Sequence, residues 1–158
     1  MEYENHPPLD TLKVYTFVDP AISQKQDADY TAIITIGIDQ NNRIYVLDIF
    51  HERVEPSDSI NALFEIVKQW RPERVGVEVV AFQKMLALEI KKQMTIRNTF
   101  FNLDEINPMG EKNARIRTIL EPRYSNANIL HPKYNKNTNA LELELLKFPN
   151  GKHDDLID

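Results

Sequence analysis

The 158 residues suffice for one domain of ordinary size, and a hydrophobic content of 42% supports a packed core. No apolar run approaches the roughly 20 residues that a membrane-spanning helix needs, and the polar, acidic start over residues 1–10 does not read as a secretory signal peptide. The absence of cysteine removes disulfides, zinc–thiolate sites and cysteine nucleophiles. The formal net charge of −5 argues against a generally basic nucleic-acid-binding surface. That balance is uneven, however. Between Lys112 and Lys152 stand eight basic residues (Lys112, Arg115, Arg117, Arg123, Lys133, Lys136, Lys147, Lys152) against three acidic ones (Glu121, Glu142, Glu144). An ordinary solvated surface and a strand-holding basic face both fit this pattern.

In chain order, residues 1–12 read as an extended lead-in, because Pro7 and Pro8 bring no backbone donor. Residues 13–18 are β-branched and aromatic and stop at Asp19-Pro20, which predicts a buried strand. A polar loop over 21–29 precedes a second strand at 30–38, where Ile34, Ile36 and Ile38 alternate with Thr35 and Gly37. The turn cluster Asp39-Gln40-Asn41-Asn42 leads into a third strand at 43–52, completing a three-stranded antiparallel meander. The period then changes. Pro56-Ser57-Asp58 offers helix-start chemistry, and Ile60, Leu63, Phe64, Val67 and Trp70 line one helix face until Pro72. A fourth strand is predicted at 74–80, a helix at 82–94 and a short strand at Phe100-Phe101. A helix over 113–120 is expected to stop at Pro122, and Ile129-Leu130 forms a further short strand. A last helix spans 138–147, with Leu141, Leu145 and Leu146 as its apolar residues. Pro149-Asn150-Gly151 then breaks the chain before a helix that starts near His153 and is cut short at Asp158. A hairpin-linked meander followed by crossover helices and added strands implies an α/β fold, a mixed sheet flanked by helices.

Three acidic positions are candidates to carry chemistry. Asp19 ends the first strand, and Glu78 sits inside the apolar run Val75-Gly76-Val77-Glu78-Val79-Val80. A carboxylate there is costly to bury unless it is paired, hydrogen-bonded or bound to a cation. An ion pair with Arg74 or another base, or an edge position facing water, is the plainer account of Glu78. The third position is His153-Asp154-Asp155-Leu156-Ile157-Asp158, in which Asp155 and Asp158 would share a helix face. Helix capping is the plainer account of these aspartates. Taken jointly, a strand-end Asp, a mid-strand Glu and a late Asp pair suit hard divalent cations, which prefer carboxylate oxygens. Two-metal phosphodiester hydrolysis needs such groups to converge from separate elements on ions about 4 Å apart.

The ordered set Val18-Asp19-Pro20-Ala21, Asp29-Tyr30-Thr31-Ala32, Gly76-Val77-Glu78 and Phe148-Pro149-Asn150-Gly151-Lys152-His153-Asp154-Asp155 resembles the nuclease domain of terminase large subunits from tailed bacteriophages. Lys112, Arg115-Ile116-Arg117 and Leu120-Glu121-Pro122 resemble that family's segment between the Glu strand and the final Asp motif. The resemblance spans residues 14–158. It implies a ribonuclease H-like fold, related to junction resolvases and integrases, and cleavage of duplex DNA that depends on Mg2+ or Mn2+, with two ions. Carried over by position, Asp19, Glu78 and Asp155 are the expected catalytic metal ligands, with Asp154 an additional or alternative ligand. Asp29, His153 and Asp158 are expected to surround and orient that set, and Lys112, Arg115, Arg117 and Lys152 to face DNA. The family's ATP-driven motor precedes its nuclease. No Gly-rich phosphate loop occurs in this sequence, so residues 1–12 are expected to be a linker remnant and residues 13–158 the nuclease domain. The implied partners are double-stranded DNA, the terminase ATPase domain, the terminase small subunit and the portal, in the host cytoplasm and away from membranes. Two other readings remain: a junction resolvase or transposase-like nuclease of the same fold, and a non-catalytic DNA-binding module.

Overall fold

A computed structural model describes residues 1–21, 30–79, 84–151 and 155–158. Its elements run β1 (Glu2–Tyr3), β2 (Lys13–Asp19), β3 (Thr31–Ile38), β4 (Ile44–Glu52), α1 (Pro56–Trp70), β5 (Arg74–Glu78), α2 (Lys84–Ile96), β6 (Leu103–Ile106), α3 (Lys112–Ser125), β7 (Ile129–Pro132) and α4 (Thr138–Lys147). One seven-stranded sheet has the order β1-β7-β4-β3-β2-β5-β6. The meander β2-β3-β4 is antiparallel; β5 adds parallel to β2, β6 parallel to β5, and β7 parallel to β4. Among the described residues no helix is long and apolar enough to cross a membrane.

Alternation along the strands sorts side chains to two faces. Val18, Ile33, Val75 and Val77 pack on one face against Ile60, Leu63, Phe64 and Val67 of α1 and Ile90 and Met94 of α2. On the other, Ala32, Val46, Ile49 and Ile129 meet Ile116 of α3, Leu141 of α4, and the late pair Leu156 and Ile157. Within the sheet, Thr16 and Thr35 are both fully buried and their hydroxyls bond at 2.8 Å, so each satisfies the other. The predicted helix face of α1 is buried at Ile60, Leu63, Phe64 and Val67, and the helix ends on Arg71, whose φ of 48° is left-handed, immediately before Pro72.

Several elements differ from the sequence expectation. Residues 1–12 do more than lead in: β1 pairs with β7, and Leu12 is buried with Val14, Tyr45, Leu47 and Leu130. The short strand lies at Leu103–Ile106, not at Phe100-Phe101, because Val75 donates to the Asn102 carbonyl and the pairing with β5 starts there. Phe101 instead packs edge-on against Phe64, with centroids 5.4 Å apart. Pro122 does not stop α3. Its missing N–H costs one helical bond, but its carbonyl is bonded by both the backbone and side chain of Asn126, and the helix runs one further turn to Ser125. In α4, Leu146 is exposed, and the third buried position is Glu144. Residues 155–157 form a turn rather than a helix start.

Candidate active site

The register of the parallel strands brings the first two acidic residues together. Val18 of β2 lies opposite Val77 of β5, so the next residues, Asp19 and Glu78, stand side by side at the carboxyl ends of neighbouring parallel strands. Loops at the carboxyl ends of parallel strands are where open α/β sheets place ligands. Glu78 shares its face with Gly76, where an added Cβ would come within 2.5 Å of Ile106 and 2.9 Å of the Phe17 ring. The missing side chain lets Phe17 and Ile106 close over β5. Of the plainer accounts of Glu78, the ion pair with Arg74 is not formed, whereas the side chain does stay partly exposed to water. Arg74 is engaged with Asp104 instead, its Nε 2.6 Å from Oδ2 and its terminal nitrogen 2.7 Å from Oδ1.

The last acidic segment reaches the same place. Leu156 and Ile157 are buried under α3 and α4, and the residues that flank them, Asp155 and Asp158, turn back to the strand ends. Asp19, Glu78, Asp155 and Asp158 line one cavity of about 290 Å³, whose wall also includes Tyr30, Pro108, Gly110, Lys112 and Arg115. The cations come from the first turn of α3. Its start is fixed by Glu111, whose carboxylate accepts from the Asn113 and Ala114 amides at 3.0 and 2.7 Å. That orientation sets Lys112 Nζ 3.1 Å from Asp158 Oδ2, with the Arg115 guanidinium hydrogen-bonded to Oδ1.

The electrostatics follow from this crowding. Asp19 is pushed up from an ordinary value of 3.8 to about 7, first by burial, then by the charges of Glu78 and Asp155, with Lys112 opposing them. Glu78 is also raised, first by burial and then by Asp158, while Lys112 and Arg115 pull it down. Below about pH 7 Asp19 is mostly protonated. The donor set fits a hard divalent cation: oxygen ligands only, and concentrated negative charge in a partly enclosed pocket. Among the described residues, no three acidic or histidine side chains already stand at coordination distance from one point. Like-charged carboxylates repel, and Asp158 is drawn toward Lys112 and Arg115.

The remaining expected residues divide. Lys112 and Arg115 face the pocket, while Arg117 is exposed and does not line it. Asp29, Lys152, His153 and Asp154 lie outside the described residues. Sequence reasoning does not single out Tyr30, Pro108 or Gly110 as site residues, since single loop residues carry no spacing signal. Nor does it foresee the apolar cleft beside the pocket. The cleft measures about 750 Å³ and runs between the sheet and α3, past Phe17, Ile34, Ile36 and Ile119.

No family model matches the sequence, and no curated protein does. Among solved structures, the Holliday junction resolvase of fowlpox virus is similar over 91% of this chain and 90% of its own, at 15% identity and a TM-score of 0.52. The large terminase of bacteriophage HK97 is similar over 90% of this chain and 33% of its own, at 14% identity and a TM-score of 0.61. The protein therefore has a ribonuclease H-like α/β fold, with a mixed seven-stranded sheet between helices. Within that class it shares its fold with the HK97 large terminase, the protein type that the sequence motifs resemble, and it spans about a third of that chain.

Proposed function

We propose that this protein is a divalent-metal-dependent endonuclease that cuts duplex DNA, acting as the nuclease of a viral packaging terminase. The observation that carries the reading is convergence: carboxylates from β2, β5 and the final turn, far apart in sequence, line one cavity beside two cations of α3. Asp19, Glu78 and Asp155 would hold Mg2+ or Mn2+, with Asp154, outside the described residues, as a further ligand. Bound divalent ions would lower the pKa of an attacking water and stabilise the leaving 3′-oxygen. Lys112 and Arg115, which pair with Asp158 in the free protein, would transfer to a scissile phosphate. Bringing a phosphate into the pocket adds negative charge, which these two residues offset. Asp19, raised to about 7, is only partly ionised near neutral pH, and a bound cation would favour its charged form.

Double-stranded DNA is the proposed partner, and in the virus the terminase ATPase domain, small subunit and portal, in the host cytoplasm. Nicking of supercoiled plasmid with Mn2+, with and without chelator, tests the activity. Asp19→Ala, Glu78→Ala and Asp155→Ala should each fall to the chelated background, and full metal-dependent nicking by any of them contradicts the assignment. A junction resolvase is the second reading, favoured by a similarity to the fowlpox enzyme that covers nine-tenths of both chains. Preferential cutting of four-way junctions over linear duplex would select it.

A further inference from the structure

Glu144 is an acidic residue on the buried face of α4, and the pocket chemistry does not use it directly. It lies three residues after Leu141 and one before Leu145, so helical spacing places it among the side chains that pack on the sheet. Only 7% of it is exposed. Burying a carboxylate there costs free energy that a leucine would not, so its hydrogen bonds must offset that cost. One is explicit: Oε2 accepts from the Leu156 backbone amide at 2.8 Å, across a buried contact twelve residues apart in sequence. Its other oxygen, Oε1, lies 3.9 Å from His51 Nε2 on β4. The same His51 ring stacks on Tyr30 with centroids 4.2 Å apart, and Tyr30 forms part of the wall of the acidic cavity.

Leu156 stands between the two late aspartates. Its side chain is buried, as is that of Ile157, while Asp155 and Asp158 on either side line the cavity. The turn that presents both carboxylates is therefore held by two apolar anchors, by the Lys112 and Arg115 contacts to Asp158 at its end, and by one charge-assisted hydrogen bond to its backbone. The apolar anchors fix its depth. They are non-directional and do not fix its rotation about the chain axis. A hydrogen bond from the Leu156 amide, with its narrow angular range, does.

We propose that Glu144 is a positioning residue, whose buried carboxylate fixes the Asp155–Asp158 turn through the Leu156 amide and so sets where those two carboxylates stand in the pocket. His51, 3.9 Å from the same carboxylate and stacked on Tyr30, lies between it and the cavity wall. The inference rests on the reading of the pocket as a metal site for its effect on metal affinity, but not for its effect on the turn.

The test uses the whole chain and two variants, Glu144→Gln and Glu144→Leu. The glutamine keeps an acceptor oxygen for the Leu156 amide; the leucine has none and suits the apolar helix face. In amide hydrogen exchange, Leu156 should be protected in the wild type by about a hundredfold or more over an unstructured amide, nearly as protected with glutamine, and at least about tenfold faster with leucine. In plasmid nicking, the Mn2+ concentration for half-maximal rate should rise by about tenfold or more with leucine while the KM for DNA stays put, and glutamine should restore most of it. A merely structural role would move the melting temperature and leave that split unmoved. Leucine behaving like wild type in both readouts overturns the proposal, and so does glutamine failing as badly as leucine. Should the leucine variant not fold, an unprotected Leu156 amide in the wild type overturns it by itself. If the wild type shows no metal-dependent nicking, the functional reading fails while the exchange measurement still decides the role of Glu144.

Discussion

Replacing Asp19 by asparagine keeps the shape of the side chain and removes its charge, so the free domain should become more stable at neutral and alkaline pH. The displacement of Asp19 from 3.8 to about 7 corresponds to roughly 4 kcal/mol, at about 1.4 kcal/mol for each tenfold change. The folded value is raised, so the favourable contribution of protonated Asp19 is fully present below 3.8 and is lost as pH rises through about 7. Asparagine has no such loss. The stabilisation should therefore be close to zero near pH 3, on the order of 1–2 kcal/mol near pH 5, and about 2–4 kcal/mol near pH 8, the lower end allowing for neighbours that relax. Urea unfolding of both proteins in chelator at several pH values reads this directly. Adding millimolar Mn2+ should then narrow the difference, because a ligand that binds only the native state stabilises the wild type and not the variant, and weak binding in the absence of DNA limits the gain. A pH-independent difference between the two proteins, or a variant less stable than the wild type near pH 8 in chelator, would refute the account of a crowded acidic pocket.

Three further outcomes follow from the same geometry. Lys112→Ala should weaken duplex DNA binding and lower the slope of log affinity against log salt by about 0.9 for each phosphate that is no longer neutralised; an unchanged slope in fluorescence anisotropy would remove Lys112 from the DNA face. Calorimetry with Mg2+ on the free domain should show no tight stoichiometric site, because the pocket carboxylates repel one another and substrate oxygens complete the coordination. In the core, Thr16→Val or Thr35→Val alone should cost about 1–3 kcal/mol by leaving one buried hydroxyl without its partner, and the double replacement should recover most of that in urea unfolding. Additive losses would show that the two hydroxyls do not depend on each other.

The meander and α1 are legible in the sequence because their signals are periodic and local. Ile34, Ile36 and Ile38 alternate, and Ile60, Leu63, Phe64 and Val67 recur at helical spacing, so each pattern reports its own burial. Elements decided by distant partners are less legible. The strand at Leu103–Ile106 carries Asp104 and Glu105 and has little β signal; it forms because the open edge of β5 accepts it. Pro122 marks the wrong boundary because a proline forbids one hydrogen bond, and near a helix end the gain from one more turn outweighs that loss. Glu144 is hidden for the opposite reason. In Leu141-Glu142-Leu143-Glu144-Leu145-Leu146, composition favours the leucines as the core, whereas the face is set by spacing, which buries positions 141 and 144 and exposes Leu146.

Residue type and motif order nominate Asp19, Glu78 and Asp155, and each of the three is individually weak. Their neighbourhood is a consequence of register. A shift of one residue between β2 and β5 would turn either Asp19 or Glu78 to the opposite face of the sheet, into the layer of Val77 and Ile33. The hydrophobic alternation of both strands forbids that shift, since it would expose Val18 or Val77 and bury a carboxylate in exchange. The same apolar pattern that makes these strands recognisable therefore also aligns their acidic ends. The late turn obeys a parallel logic: burying Leu156 and Ile157 leaves Asp155 and Asp158 no direction but the cavity. What sequence order alone cannot supply is the countercharge, because Lys112 and Arg115 reach Asp158 only once α3 has been set against the strand ends by its Glu111 cap.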